Sequence, residues 1–347
     1  MPQHVHRGPA PGSLASTPWM YRFDQADPDA AAAWLNDATE DVTDQLRTHG
    51  AILLRGAGAT TPEAFEQLAR CVAPDLKNDY MGTSPRNAVT SHVFNASELP
   101  GFYPIPQHCE MTFVKQPPNR VIFGCLTAPR KHGETPLCDF RRVAEQLRAD
   151  VAKRFEDGGI RIIRNYAAPG QRGGLWQLKP WVDMFGTTDH DAVIARCKEE
   201  GFEATFLEGD RLRILSHHDA FKTHPETGER VWFNHVQVFH DSAGPSELRR
   251  IAKIRPSARA FAAWALAAAG VKAQRLTTDP LDQPMHATYR DGSPIPDADI
   301  EHLRDVIWQN MVRIPWQAGD VIAIDNHSVS HGRMPYFGPR RIVVAWS

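Results

Sequence analysis

Cysteine is scarce in this chain of 347 residues, and the five present (Cys71, Cys109, Cys125, Cys138 and Cys197) include no C-x-x-C pair. An odd count without that spacing argues against a disulfide framework and a four-cysteine zinc site. It points instead to reduced thiols in a cytoplasmic protein. A surplus of either charge is also lacking: 39 basic residues face 41 acidic ones, with no basic block. Neither nucleic acid nor an anionic membrane surface is therefore expected as a partner. No apolar run approaches the roughly 18 residues of a bilayer span. The opening MPQHVHRGPAPGSLASTPWM has no apolar stretch of the signal-peptide kind, and its Pro, Gly and Ser content predicts a flexible tail over 1–20. With no internal repeat and no linker, residues 21–347 are expected to form one domain. The composition, 42% hydrophobic and 23% charged, is that of an ordinary soluble globular protein.

The apolar pattern predicts a mainly β fold with helices. Residues 28–48 look helical and end at Gly50, AILLRG (51–56) reads as a buried strand, and Thr61-Pro62-Glu63 starts a helix with Phe65 and Leu68 on one face. From residue 91 short apolar runs broken by Pro and Gly (SHVFN, NRVIFGCL, IRIIRNY, LRILS, RVWFN) suggest the strands of a sandwich or jelly roll. Helical patches interrupt them at 139–157, 245–270 and 298–313. The alanine-rich 258–269 is expected to be a buried helix. Strands return at 319–326 and 340–347.

Four His-x-carboxylate pairs occur: His108/Glu110, His132/Glu134, His217/Asp219 and His224/Glu226. On a strand, residues i and i+2 share a face, so each pair could aim an imidazole and a carboxylate at one ion. Four copies show how little the spacing proves alone. The C-terminal DNHSVSHGRMPYFGPRRIVVAW separates them. A strand runs into a polar turn, presents His331 and returns led by Arg340 and Arg341. A third ligand beside an arginine suits the two-His-one-carboxylate triad, which leaves iron positions open for a chelating cosubstrate and dioxygen. A guanidinium fork is then the natural partner for the far carboxylate of a 2-oxo diacid.

In these segments the chain resembles the Fe(II)/2-oxoglutarate-dependent dioxygenases of the taurine dioxygenase and clavaminate synthase superfamily. It is most similar to the branch of natural-product amino-acid hydroxylases typified by the syringomycin-pathway aspartate hydroxylase. IPQHCEMTF, PNRVIFGCLTAPRKHGETPLCDFRRV, THPETGERVWFN and DNHSVSHGRMPYFGPRRIVVA carry the resemblance in order across about 90–347, weakly over a helical insertion near 241–318. It implies a double-stranded β-helix (jelly roll) core decorated by N-terminal and inserted helices. It also implies Fe(II) held by His108, Glu110 and His331, and 2-oxoglutarate supported by Thr135 and by Arg341, with Arg340 the fallback should the loop shift by one residue. The implied reaction consumes O2 and 2-oxoglutarate, releases succinate and CO2, and hydroxylates, desaturates or cyclises at an unactivated C–H bond of a small, amino-acid-derived substrate. An intact Glu110 argues against halogenation, because halide needs the carboxylate's place. In the taurine and clavaminate enzymes a second arginine follows the cosubstrate arginine by four residues, but counting from Arg341 gives Ala345. Asn95, Phe102, Trp232 and Asn234 are candidate substrate contacts, and His217, His218 and Asp219 candidate pocket lining. Cys109 should face away from the metal. A non-catalytic jelly-roll metal-binding protein and a zinc hydrolase are the alternatives.

Overall fold

The computed structural model describes residues 4–78, 87–97, 99–171 and 178–347. Two sheets carry the site. The larger has seven strands in the order Val5–Leu14, Thr17–Phe23, Ala51–Ala59, Gly319–Asp325, Arg120–Thr127, Arg341–Trp346 and Phe94–Asn95. The smaller has four: Met311–Val312, Leu137–Asp139, Val329–Arg333 and Ile105–His108. Among the described residues no sheet closes into a barrel.

Period-two alternation decides which way each central strand faces. Leu53, Val121, Phe123, Ile322, Ile324, Ile342 and Val344 share one apolar cluster with Leu137 and Val329 of the smaller sheet. Their neighbours Ile52, Leu54, Ile122, Val321, Ala323, Val343 and Ala345 point the other way, into the helices Pro28–Asp37, Thr39–His49 and Pro62–Val72. Both faces of these strands are covered, which is why they read as near-continuous apolar runs. Those helices begin and end where the side chains dictate. Asp27 and Thr61 cap backbone N–H groups ahead of Pro28 and Pro62, and Gly50 closes its helix at φ +70°.

A third sheet places Ile160–Ala167 beside Arg211–His218, with Glu203–Leu207 beyond. Met285–Thr288 and Leu178–Pro180 also pair with Ile160–Ala167.

Several expectations need correction. The N-terminal stretch expected to be a flexible tail pairs as a hairpin, Val5 opposite Phe23 and Pro9 opposite Trp19, and its second strand runs parallel to Ala51–Ala59. Low apolar content hid it, since Val5–Leu14 is an edge strand with only Ala10 buried. The 28–48 helix breaks in two at Ala38. The alanine-rich helix, Ala258–Thr277, has no buried residue. Leu266 is 74% and Leu276 81% exposed, because the helix packs chiefly on Ala243–Ile254. Alanine favours a helix whether or not it is covered. The segment 241–318 is not purely helical, since it supplies Met285–Thr288 and Met311–Val312 to two sheets.

Candidate metal and cosubstrate site

His108 ends the strand Ile105–His108 and lies directly opposite His331 of Val329–Arg333. Cross-strand neighbours share a face, and the two rings sit 4.4 Å apart between centroids. Glu110 follows in a turn rather than on the strand, with Met111 in the left-handed region at φ +51°. Asn326 holds that turn. Its Oδ1 accepts from the Glu110 N–H at 2.6 Å, while its Nδ2 donates to the Glu110 carbonyl at 3.0 Å and the Pro118 carbonyl at 2.9 Å. The carboxylate is thereby brought within 3.7 Å of His331 Nε2. Ligand atoms of His108, Glu110 and His331 all lie within 4.8 Å of one another.

The tautomer of His108 suits a ligand. Its Nδ1 lies 2.9 Å from the Pro106 carbonyl; donating there leaves Nε2 as the lone pair. Two imidazoles and one buried carboxylate form a donor set appropriate to ferrous iron with open positions. Cys109 is buried on the opposite side, in a cluster with Cys138, Trp232 and Phe233. Burial pushes its thiol well above the ordinary range, so a thiolate is disfavoured.

Thr135 precedes the strand Leu137–Asp139. Its Oγ1 accepts from Trp316 Nε1 at 3.1 Å and from Arg340 Nη2 at 3.4 Å. Arg340 also donates Nε–H to the Gly133 carbonyl at 3.0 Å and lies over the Tyr336 ring. Burial and then the neighbouring Arg333 hold the Arg340 guanidinium down to about 10. Arg341 is exposed. The preference for Arg341 over Arg340 is thus reversed at the level of geometry. Alternation along the strand is the cause: Ile342 and Val344 belong to the inward-facing cluster while Val343 and Ala345 face the helices, so Arg340 falls on the inward face and Arg341 on the other. Four residues beyond Arg340 stands Val344, which shares the inward-facing cluster, whereas Ala345 faces the helices.

Sequence reasoning missed Asn326, Trp316 and Arg333. Arg333 donates to the carbonyls of Leu99, Pro100 and Tyr103, each at 2.8 Å, fixing the segment that enters the His108 strand. Asn326 and Arg333 lie inside the C-terminal motif, but only their pairing across more than two hundred residues reveals the work they do.

The rival histidines are structural. His224 Nε2 donates to Asp325 at 2.7 Å, and its Nδ1 accepts from the N–H groups of Glu226 and Thr227. Glu134 is ion-paired to Arg255, and His132 lies opposite Tyr336. His217 meets Glu203. His218 sits next along the strand and so on the other face; burial and then Arg164 push it down to about 3. His235 is neutral as well, held well below its ordinary value by burial and then by His108.

The candidate substrate contacts fare unevenly. Trp232 is buried against Phe155 and Phe221, with Nε1 given to Gln237. Asn234 spends its amide on the Ala220 carbonyl and the Val236 N–H. Asn95 lies opposite Val343, whose side chain faces the helix layer. These three are therefore corrected to packing and turn roles. Phe102, 56% exposed, lines a cleft of about 680 Å³ with Tyr103, Val238, Phe239, Leu266 and Met285.

A family model, "Taurine catabolism dioxygenase TauD, TfdA family", matches residues 14–346. The chain belongs to this family. It is a 2-oxoglutarate-dependent dioxygenase. Among relatives of this TauD-family chain, the dapdiamide synthesis protein DdaC of Enterobacter agglomerans is 29% identical over 300 residues, covering 86% of this chain and 82% of that protein. A clavaminate synthase-like protein of Arabidopsis thaliana is 28% identical over 313 residues, with the same coverage of 86% and 82%. The crystal structure of the PvcB protein from Pseudomonas aeruginosa superposes with a TM-score of 0.51 at 13% identity, over 100% of this chain and 91% of that one. At that identity the likeness speaks for the fold. No helix among the described residues is long and apolar enough to cross a membrane.

Proposed function

We propose that this TauD-family dioxygenase hydroxylates an unactivated C–H bond of an amino acid or related small intermediate in natural-product biosynthesis. The convergence of His108, Glu110 and His331 within 4.8 Å is the observation that carries the reading. These three residues would hold Fe(II), and the iron with 2-oxoglutarate and O2 would supply the oxidising power. Asn326 fixes the Glu110 backbone, and the Pro106 carbonyl fixes the His108 tautomer. Arg340, backed by Thr135, Trp316 and Tyr336, receives the far carboxylate of 2-oxoglutarate. Its two fixed acceptors leave guanidinium N–H groups for a fork-to-fork pair in a buried setting. The seven- and four-stranded sheets, sharing one apolar cluster across His331, are the two halves of a jelly roll. The amino-acid substrate class is supported by the likeness to a dapdiamide synthesis protein and a clavaminate synthase-like protein.

Anaerobic addition of Fe(II) and then 2-oxoglutarate should produce a weak visible charge-transfer band. His108→Ala should lack the band while retaining the far-UV circular dichroism of the wild type. A wild-type protein that gives no band, or a His108→Ala variant with full 2-oxoglutarate turnover, would refute the assignment.

A further inference from the structure

Arg164 lies mid-strand in Ile160–Ala167, opposite Ile214 on one side and Met285 on the other. It is 1% exposed, yet its Nε and Nη2 have no hydrogen-bond partner among the described residues. No carboxylate among those residues forms an ion pair with it. Other buried arginines are answered: Arg141 by Asp139, Arg304 by the Gln237 carbonyl, Arg333 by three carbonyls. Burying a cation without an anion is costly, so the unanswered one needs a reason.

The surroundings supply it. The guanidinium lies in the angle between Phe113 and Phe202, 4.5 and 4.8 Å from their ring centroids, which are 6.5 Å apart. The Phe113 ring is 5.5 Å from that of His235, which is 5.7 Å from that of His108. Arg164 therefore stands behind a layer of rings beside the metal ligands, apart from Arg340 and Thr135. Tyr166, two residues along and on the same face, is also 1% exposed; its hydroxyl lies beside the Arg164 guanidinium but makes no well-formed hydrogen bond, and burial raises its phenol so that it stays a donor.

We propose that Arg164 and Tyr166 form the subsite for a carboxylate of the substrate, which is a small free carboxylic acid of the amino-acid class. The carboxylate takes the guanidinium and phenol N–H and O–H donors, and the remainder of the molecule lies across Phe113 toward His108, Glu110 and His331. This rests on the dioxygenase reading above and assigns the position of its substrate.

The test uses Arg164→Met, Arg164→Lys and Tyr166→Phe in the full chain, with three readouts. Titration of the anaerobic charge-transfer band with 2-oxoglutarate should be unchanged in every variant. Thermal unfolding of Arg164→Met should occur at or above the wild-type temperature, because an unanswered buried cation has been removed. Succinate release in air, screened with the common L-amino acids and their carboxamides, should rise with one or more acids and at least about tenfold less with the matching amide. For the stimulating acid, Arg164→Met should raise KM by about tenfold or more, with Arg164→Lys intermediate. Should Arg164→Met fail to fold, Arg164→Lys must still raise KM without moving the band. A fall in unfolding temperature parallel to the loss of activity, equal response to acid and amide, no response to any acid, or an unchanged KM would each overturn the proposal. A wild type without the band fails at the reading beneath and removes the proposal with it, a result distinct from all of these.

Discussion

Two arginines, Arg340 half-buried and Arg164 fully buried, flank the cluster of His108, Glu110 and His331, and they are treated differently. Arg340, on one side, is held by the Gly133 carbonyl and Thr135 and braced by Tyr336. Arg164, on the other, lies against two adjacent aromatic rings but has no hydrogen-bond acceptor for two of its nitrogens. An arginine tethered by neutral acceptors is pre-aimed at one fixed ligand, such as a cosubstrate used in every turnover. One held only by rings keeps its donors unspent. Cation chemistry is common to both sides; the number of protein acceptors distinguishes them.

The most damaging break is at the centre, where both sides meet. Glu110→Ala should reduce succinate formation to background and abolish the charge-transfer band, with the fold retained by circular dichroism. Next comes Arg340→Met. Losing hydrogen bonds to a charged carboxylate is worth about 1.5–3 kcal/mol, so half-saturation by 2-oxoglutarate should rise roughly 10- to 150-fold. Arg341→Met should leave it within about twofold, and the opposite ranking would restore the sequence-based preference. Trp316→Phe removes only the indole donor to Thr135, and a net loss of about 1 kcal/mol predicts a roughly fivefold weaker 2-oxoglutarate titration.

On the Arg164 side the sharper measurement is acid stability. His218 is a base whose value in the fold, about 3, lies below its ordinary 6.5. The unfolded chain therefore takes up the proton first. Stability should be complete above pH 6.5 and drain as the pH falls toward 3, by at most about 1.4 kcal/mol per pH unit. His218→Asn should flatten that limb in urea titrations run at several pH values. The smallest effect is expected on the exposed helix, where Leu266→Lys should shift stability by no more than about 0.5 kcal/mol; a large loss would mean that a partner covers this face.

Much of the sheet core was legible because period-two burial leaves a local trace. AILLRG, NRVIFGCL and DVIAID became strands, and His108 and His331 were identifiable from ordered motifs that the fold later set opposite each other. Helix starts were equally local, Asp27-Pro28 and Thr61-Pro62 being caps readable in four residues. What failed did so for a physical reason. The N-terminal hairpin is an edge with one buried side chain, and alanines in Ala258–Thr277 favour helix without reporting burial. Trp232 and Asn234 stood near the right motif but spend their polar atoms inside it.

By itself the sequence determined which residues could bind a metal and in what order they occur, because ligand chemistry belongs to side-chain type and spacing. Only the tertiary structure decided which arginine faces Thr135, since alternation puts Arg340 and Arg341 on opposite faces and only the packed sheets decide which face looks inward. It also decided that Asn326 grips the Glu110 turn and that Arg164 goes unanswered. Both depend on residues brought together from distant parts of the chain, and on a hydrogen-bond inventory that exists only once the strands are packed.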